Sequence, residues 1–158
     1  MTSDNTWYFA YGSNLLRQQM IERTGSLPES HTACLKDFRF VFRKLGLNEV
    51  YADIVPSSGS TVRGVVYLCS NQALMQLDFF EGVAADCYRR ILVQVATDDG
   101  QPLWAVAYRG GRAFSDEEGK PSQDYLNRVL CGAREHQLEK DYIDSIERQG
   151  TSCCRRFL

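Results

Sequence analysis

The stretch YFAYGSNLLRQQM, residues 8–20, decides the interpretation of this sequence, because an aromatic segment breaks there into a polar turn and a helix. The aromatic residues 7–10 predict a buried strand. The turn YGSN, residues 11–14, ends in Ser and Asn, which are residue types that cap a helix continuing to Met20. The turn therefore either binds a ligand or only redirects the chain, and this stretch by itself leaves both open.

The composition excludes several classes of protein. The chain has 158 residues, of which 44% are hydrophobic and 24% charged, and its net charge is −2. These values are ordinary for one globular domain with a buried core. No long basic run marks a nucleic-acid binder, no apolar stretch approaches the ~20 residues of a membrane helix, and the polar N-terminus does not resemble a secretory signal. We expect one domain over residues 1–150, a tail over 151–158, and neither nucleic acid nor membrane as a partner.

The six cysteines and two histidines do not predict a cofactor site. His31 and His136 lie at no metal-ligand spacing with cysteine or carboxylate residues, and no CxxC motif occurs. Walker, GxGxxG and GxSxG motifs are absent as well. Four of the cysteines lie in apolar or mixed patterns, where a free thiol packs as a small hydrophobe. We expect no metal, no organic cofactor and a reducing, cytoplasmic compartment.

Hydrophobic periodicity predicts a sheet-rich chain with a few helices. Strands are predicted at residues 7–10, 33–43, 50–55, 62–68, 88–97 and 102–108. Helices are predicted at residues 15–20 and 71–81, from residue 121 onward, and around 142–146. Turns are expected at 46–49, 56–59 and 98–100, a polar loop at 110–120, and a frayed tail from 149. This order predicts an α+β fold whose small, mostly antiparallel sheet curls into a partial barrel.

A carboxylate, Glu81, comes at the end of the helix that Ser70 caps and Gly82 follows. At about 100° per residue, Glu81 projects between Leu74 and Leu77, on the face that meets the core. Burial and the negative end of the helix dipole both raise the pKa of such a carboxyl, which suits a general acid or base near neutral pH. The alternative is that the last turn rotates Glu81 into solvent.

The turn after the first strand has a binding chemistry of its own. Backbone N–H groups at a helix N-terminus suit a carboxylate or another anion, and Gly12 lets a ligand approach the backbone closely. Ser13 and Asn14 add side-chain hydrogen bonds, unless one of them only caps the helix. Asp78, at the other edge of the Leu74 face, is a solvated neighbour or a partner of Glu81.

The two features together resemble the γ-glutamylcyclotransferase family. The motifs are YFAYGSNL at the N-terminus, LDFFEGV at 77–83, CYRRILVQV at 87–95, AVAYRG at 105–110 and PSQDYLNRVLCGARE at 121–135. The resemblance implies a small α+β domain with a barrel-like, mostly antiparallel sheet and flanking helices. It also implies an enzyme in which the α-amine of a γ-glutamyl group attacks its own γ-carbonyl. The ring closes to 5-oxoproline, and an amino acid or amine leaves.

The resemblance also implies roles for individual residues, carried over motif by motif. The glutamate of EGV is Glu81, which the resemblance implies is the catalytic acid/base. The implied substrate-binding residues are Tyr8, Phe9, Ala10, Tyr11, Gly12, Ser13, Asn14 and Tyr125. No metal or organic cofactor is required, the partner is a small γ-glutamyl molecule, and a homodimer is the assembly at which the family hints. Tyr88 and Tyr108 are expected to pack at an edge or in the core.

Two other functions stay open beside the enzyme. A non-catalytic domain that binds γ-glutamyl ligands would keep the pocket on the same scaffold, although it has no need for an acid at position 81. The segment 110–120, with Asp116, Glu117 and Glu118, is a partner surface, a solvated loop or a lid. A sub-family that acts on glutathione carries YGSL followed by Trp, and the Asn14-Leu15 pair argues against it. The sequence does not identify the leaving group.

Overall fold

The computed structural model describes residues 4–151, and six strands and four helices make up most of that length. The strands are β1 (Asn5–Ala10), β2 (Ser30–Leu45), β3 (Glu49–Ser70), β4 (Tyr88–Thr97), β5 (Pro102–Gly110) and β6 (Phe114–Glu118). The helices are α1 (Arg17–Thr24), α2 (Asn71–Phe80), α3 (Gln123–Glu135) and α4 (Lys140–Thr151). Single turns of 3₁₀ helix lie at Ser13–Leu15 and Val83–Ala85.

Five of the strands close into a barrel. Their order is β3-β1-β5-β4-β2, and the pairing of β2 with β3 completes the ring, while β6 joins the sheet beside β2. Only the β1–β5 pairing is parallel among the pairings of the described strands. Fully buried side chains such as Phe9, Val65 and Tyr67 fill the core, where removal of apolar surface from water stabilises the fold. The predicted α+β class with a mostly antiparallel, barrel-like sheet is confirmed.

β3 is one long strand where the sequence predicted two strands and a turn. The predicted turn at 56–59 is an excursion within β3, because residues 57–60 have no partner in β2. Gly59 has a φ of +84°, and its N–H donates to Asp37 Oδ1 at 3.0 Å on the neighbouring strand. The residues typical of a turn therefore make the strand bulge here and do not end it.

The polar segment predicted as a loop at 110–120 contains strand β6. Its acidic side chains pair with basic side chains of β2, in the pairs Asp116–Arg43, Glu117–Lys44 and Glu118–Arg39. Only Phe114 of this strand is buried, so the segment lacks the alternation that identifies a strand in sequence. The sequence feature that could have indicated this strand is the set of basic residues on β2, which complements the acidic residues of β6.

The helix predictions agree best at α2. Ser70 caps it as predicted, its Oγ accepting from the Ala73 N–H at 3.1 Å, and Gly82 follows it with a φ of +65°. The predicted side-chain cap on the first helix is wrong, because α1 begins at Arg17 with Leu16 as an uncapped N-cap. The predicted frayed tail is wrong for residues 149–151, which belong to α4. Residues 152–158, with Cys153 and Cys154, lie outside the described residues.

Among the helices between residues 4 and 151, none combines the length and the apolar character that a membrane span requires.

Candidate active site

A pocket with about 300 Å³ of empty space, the open solvent at its mouth included, lies where the end of β1, the end of α2 and the first turn of α3 meet. It is lined by Tyr8, Tyr11, Gly12, Ser13, Asn14, Ala52, Glu81, Tyr88, Tyr108 and Tyr125. Seven of the nine site residues proposed from sequence therefore meet at one pocket, although they come from three separate parts of the chain.

The other two proposed residues, Phe9 and Ala10, do not line the pocket. Both are fully buried, and successive side chains of a strand point to opposite faces, so Phe9 faces away from the side that Tyr8 faces. The Phe9 ring packs instead over Gly64, where an added Cβ would lie 2.2 Å from the Ala10 carbonyl oxygen. The expectation of an unbroken lining from Tyr8 to Ser13 therefore needs this correction.

Glu81 lies at the pocket wall with 14% of its side chain exposed, rather than rotated into solvent. Its Oε1 accepts a hydrogen bond from Asn14 Nδ2 at 3.1 Å and lies 3.6 Å from Arg23 Nη1. Burial raises the pKa of this carboxyl to about 7, against the opposing effects of Arg23 and the Asn14 hydrogen bond, and the nearby Asp78 carboxylate adds to the rise. Near neutral pH the group therefore populates both of its protonation states.

Asn14 connects Glu81 to the rest of the pocket. Its side chain is buried, and Nδ2 also donates to the Tyr8 hydroxyl at 2.9 Å. Its Oδ1 accepts from Gln19 Nε2 at 2.9 Å and from Arg23 Nη1 at 3.2 Å. Both donors and both acceptor positions of the amide are thus occupied. This explains why Asn14 does not cap the helix, since its side chain turns toward Glu81 instead.

The carbonyl groups of the turn are anchored from the core. The Tyr67 hydroxyl donates to the Asn14 carbonyl at 2.9 Å, and His136 Nε2 lies 2.9 Å from the Leu15 carbonyl oxygen. Burial lowers the pKa of His136, so the ring is neutral and donates one N–H to this carbonyl. Neither anchoring residue was identified from sequence, because each is distant from the turn along the chain.

The amide groups of the same turn are left for another partner. Among the hydrogen bonds between residues 4 and 151, none is donated by the backbone N–H of Gly12, Ser13 or Asn14. All three residues line the pocket. Unpaired N–H groups at a helical start attract a carboxylate or a developing oxyanion.

Tyrosine hydroxyls surround the pocket, and two of these tyrosines were expected to pack elsewhere. Tyr88 donates to the Ala52 carbonyl, and Tyr108 donates to Asp78 Oδ1 at 2.6 Å. A hairpin centred on Asp99 sets Tyr88 opposite Gly110 and Arg90 opposite Tyr108. That register was available from the predicted turn, and it places both tyrosines on one face of the sheet.

The electrostatics of the pocket single out Glu81. Burial raises the pKa of every tyrosine on the wall, in the case of Tyr125 to about 12. The tyrosines are therefore neutral near pH 7, and Glu81 is the only carboxyl group among the lining residues. Asp78 lies just outside, paired with Arg90 Nη2 at 2.7 Å. Within residues 4–151, no group of three or more His, Cys, Asp or Glu side chains is placed to hold a metal ion.

Known proteins share this combination of sequence and fold. The family model described as "Gamma-glutamyl cyclotransferase, AIG2-like" matches residues 8–127. The chain belongs to this family. The matched range includes every residue of the pocket wall.

Individual relatives agree with the family assignment. Human gamma-glutamylcyclotransferase is 33% identical over 146 residues, which are 89% of this chain and 76% of the human protein. The bovine protein of the same name is 33% identical over 150 residues, covering 89% and 78%. A solved structure named gamma-glutamyl cyclotransferase aligns with a TM-score of 0.81 at 30% identity, over 90% of this chain and 86% of that one.

Proposed function

We propose that this protein is a γ-glutamylcyclotransferase with Glu81 as its general acid/base. The substrate is a γ-glutamyl amino acid or amine, and the products are 5-oxoproline and the free amino acid or amine. The observation that carries the proposal is a buried carboxyl, with a pKa of about 7, on the wall of a pocket whose other polar side chains are neutral. The family to which the chain belongs supports it.

The first step needs a base, because the α-ammonium of a γ-glutamyl group is not a nucleophile at neutral pH. The Glu81 carboxylate takes one proton from this nitrogen, and the free amine attacks the γ-carbonyl carbon. A C–N bond forms, the ring closes, and negative charge develops on the carbonyl oxygen. The attack is intramolecular, so holding the glutamyl chain folded in a small pocket supplies much of the acceleration.

The second step needs an acid, and Glu81 is now protonated. As the original γ-amide C–N bond breaks, Glu81 returns a proton to the leaving nitrogen, and the carbonyl of 5-oxoproline re-forms. Glu81 takes one proton and gives one back, so it ends the cycle as a carboxylate. The second proton that the ring nitrogen carries after the attack passes to water, and the released amine takes up one proton from water to become an ammonium. A pKa of about 7 suits both transfers, because neither form of the group is strongly favoured.

The pocket wall supplies the binding groups of the proposal. The unpaired N–H groups of Gly12, Ser13 and Asn14 bind the substrate α-carboxylate or stabilise the developing oxyanion. The hydroxyls of Tyr8, Tyr11 and Tyr125 lie around the glutamyl chain. Phe9 and Ala10 do not contact the substrate in this proposal; they are core residues that fix the end of β1.

The setting of the enzyme is proposed from sequence. A reducing, cytoplasmic compartment agrees with four free thiols, at Cys34, Cys69, Cys87 and Cys131. A homodimer is the assembly proposed from the family resemblance, and analytical ultracentrifugation measures it directly.

The test of the proposed function is the Glu81→Gln variant, which keeps the shape of the side chain and removes its proton chemistry. We expect 5-oxoproline release to fall by roughly 10²–10⁴-fold, as it does on loss of a general acid/base. Circular dichroism checks that the fold is intact. Glu147→Gln, an exchange of an exposed glutamate on α4, is the matched control and keeps full activity.

Two results would contradict the proposal. Near wild-type turnover by Glu81→Gln removes Glu81 from the mechanism. Tight binding of γ-glutamyl compounds by the unmodified protein, with no 5-oxoproline from any of them, favours the non-catalytic binding domain instead.

A further inference from the structure

The C-terminal end of α2 carries two acidic side chains on one side of the helix. Asp78 comes three residues before Glu81, whose N–H still donates to the Leu77 carbonyl at 2.8 Å. Side chains at this spacing are neighbours, and like charges on them repel each other. The negative end of the helix dipole disfavours both carboxylates as well. Because the last turn of α2 contains no basic residue, a counter-ion has to come from another element.

Arg90 of β4 supplies this counter-ion to Asp78. Its Nε donates to Asp78 Oδ1 at 2.8 Å and its Nη2 donates to Oδ2 at 2.7 Å, which is the strong bidentate arrangement of arginine and carboxylate. Tyr108 of β5 lies opposite Arg90 in the ladder, and its hydroxyl donates to Oδ1 at 2.6 Å. Both oxygens of Asp78 are therefore directed to side chains of the sheet.

We propose that Arg90 is a positioning residue of the active site, which keeps the Asp78 carboxylate neutralised and turned toward the sheet so that Glu81 remains a base. This proposal rests on the proposed function, since it concerns the group to which the acid/base chemistry is assigned. Without Arg90, an uncompensated carboxylate would lie one helical turn from Glu81, and the repulsion would favour the protonated form of Glu81.

Two charged side chains of the described part of the chain act on Glu81. Arg23 of α1 lies 3.6 Å from Glu81 Oε1 and favours the carboxylate, whereas Asp78 of α2 disfavours it. The other elements around the pocket contribute tyrosines, which are neutral because burial raises the pKa of each: Tyr8, Tyr11, Tyr88, Tyr108 and Tyr125. Arg23 thus compensates Glu81 directly, and Arg90 compensates its acidic neighbour.

The first test is the pH profile of kcat/KM for 5-oxoproline release from γ-glutamyl-alanine. In Arg90→Met, the midpoint of the fall on the acid side is expected to move up by roughly 0.5–1 pH unit, the effect of one charge about 6 Å away in largely aqueous surroundings. Asp78→Asn removes the neighbouring negative charge and is expected to move the midpoint down. Arg90→Lys retains the charge and is expected to restore most of the wild-type profile.

A merely structural role of Arg90 predicts a different result. Loss of packing would lower kcat/KM across the whole pH range and would leave the midpoint where it is in the wild type. That outcome in Arg90→Met, together with an unmoved midpoint in Asp78→Asn, would overturn the proposal.

Arg89→Met is the matched control on the same strand. Arg89 makes the same kind of pair, because its Nε donates to Asp86 Oδ1 at 3.1 Å and its Nη2 donates to Oδ2 at 3.0 Å. It lies opposite Arg109 in the ladder, so its side chain is on the other face of the strand from Arg90. The midpoint is expected to stay at the wild-type pH. A shift equal to that of Arg90→Met would show a general effect of positive charge and overturn the proposal.

The double variant Arg90→Met/Asp78→Asn tests whether Arg90 acts through Asp78. Once the carboxylate is gone, Arg90 is no longer held beside α2, so its removal is expected to change nothing further. The double variant should then have the midpoint of Asp78→Asn alone, which is the non-additivity of residues that act as a unit. An upward shift of the same size with and without Asp78 would show that Arg90 acts on Glu81 directly and would overturn the role assigned here.

An NMR titration separates this proposal from the proposed function. The side-chain carboxyl carbon of Glu81, labelled with ¹³C and assigned by comparison with Glu81→Gln, reports its pKa without turnover. A higher pKa in Arg90→Met and a lower one in Asp78→Asn support the proposal even if no 5-oxoproline is released, a result that would contradict the proposed function alone. Wild-type values in both variants overturn the role of Arg90 and leave the proposed function standing.

Discussion

At the residue scale, the candidate site depends on one carboxyl on which its surroundings act in opposite directions. Burial favours the neutral acid at Glu81, while Arg23 and the amide of Asn14 favour the carboxylate. The balance leaves the pKa at about 7. Neither effect alone gives a group that takes and returns a proton near neutral pH, so the neighbours of Glu81 matter as much as its burial.

Arg23 is expected to influence the pH at which kcat/KM falls on the acid side of the pH profile, called the acid limb below. In the wild-type enzyme, kcat/KM is expected to fall as the pH drops below about 7, because the protonated Glu81 carboxyl cannot act as the proposed base. Arg23→Met removes a cation that stabilises the carboxylate, so the pKa of Glu81 rises and the acid limb moves to higher pH. Measurement of kcat/KM from pH 5 to 9 checks this shift. Arg23→Lys retains the charge and is expected to restore the limb, and an unmoved limb in Arg23→Met would count against the assignment.

The raised pKa of Glu81 also makes a prediction about stability. The folded-state pKa of about 7 lies above the ordinary value of 4.5, so the folded chain binds the proton more tightly than the unfolded chain. The stability contributed by the protonated group is complete below pH 4.5 and is lost as the pH rises through 7. Between pH 4 and pH 8, the free energy of unfolding of Glu81→Gln should therefore gain up to about 3 kcal/mol relative to wild type. Urea titrations at both pH values measure this difference, and Glu147→Gln is expected to show none.

At the scale of elements, the turn between β1 and α1 is a packed structure rather than a flexible loop. Tyr67 and His136 bind its carbonyl groups, and α3 lies directly against it at Gly132. A Cβ at Gly132 would lie 2.4 Å from the Leu16 nitrogen and 2.5 Å from the Leu15 carbonyl carbon. The close contact of α3 with the turn also sets the position of Tyr125 relative to Gly12.

Gly132→Ala is therefore expected to destabilise the protein, although alanine favours a helix by up to about 1 kcal/mol over glycine. The new methyl group meets backbone atoms, which cannot rotate away, and overpacking of this kind costs about 1–3 kcal/mol. The midpoint of urea unfolding should fall, and KM for a γ-glutamyl substrate should rise as the turn shifts. Cys131→Ala, at the exposed neighbouring position of α3, should leave both unchanged. A more stable Gly132→Ala protein would show that α3 has room to move.

At the scale of the whole molecule, one buried ion pair connects four strands around the pocket end of the barrel. Asp53 of β3 is fully buried and pairs with Arg43 of β2. Its Oδ1 also accepts from the Gly110 N–H of β5 at 2.8 Å, and Arg43 Nε donates to the Ser115 carbonyl of β6 at 2.9 Å. Asp53 directly follows Ala52 of the pocket wall, so this connection supports the site as well as the fold.

Arg43→Met is expected to lower the free energy of unfolding by about 3–5 kcal/mol, because it leaves the Asp53 carboxylate buried without its counter-ion. Thermal and urea unfolding measure the loss. Asp116→Asn is the control, since Asp116 is the exposed partner of the same arginine and its loss should not move the midpoint. Equal effects of the two variants would place the stabilisation on the surface rather than at Asp53.

Much of the fold and site was predictable from sequence for local physical reasons. Caps and periodicity act within a few residues, and they placed α2, its Ser70 cap and the inward face on which Glu81 lies. Strand alternation and turn residues likewise predicted the α+β class and the β4–β5 hairpin. β6 was missed because only one of its side chains is buried, so the apolar pattern that marks a strand is absent there.

Only the tertiary structure decided what joins these elements, because the deciding contacts are between residues far apart in the chain. Asn14 is 67 residues from Glu81, and no local rule distinguishes a helix cap from a side chain that turns toward a buried carboxyl. The same holds for Tyr88 and Tyr108 on the pocket wall and for the closure of β2 onto β3. By itself, the sequence determined which residues were available for acid/base chemistry. Burial, which depends on packing of the whole barrel, decided the pKa of the Glu81 carboxyl, to which we assign this chemistry as a proposal.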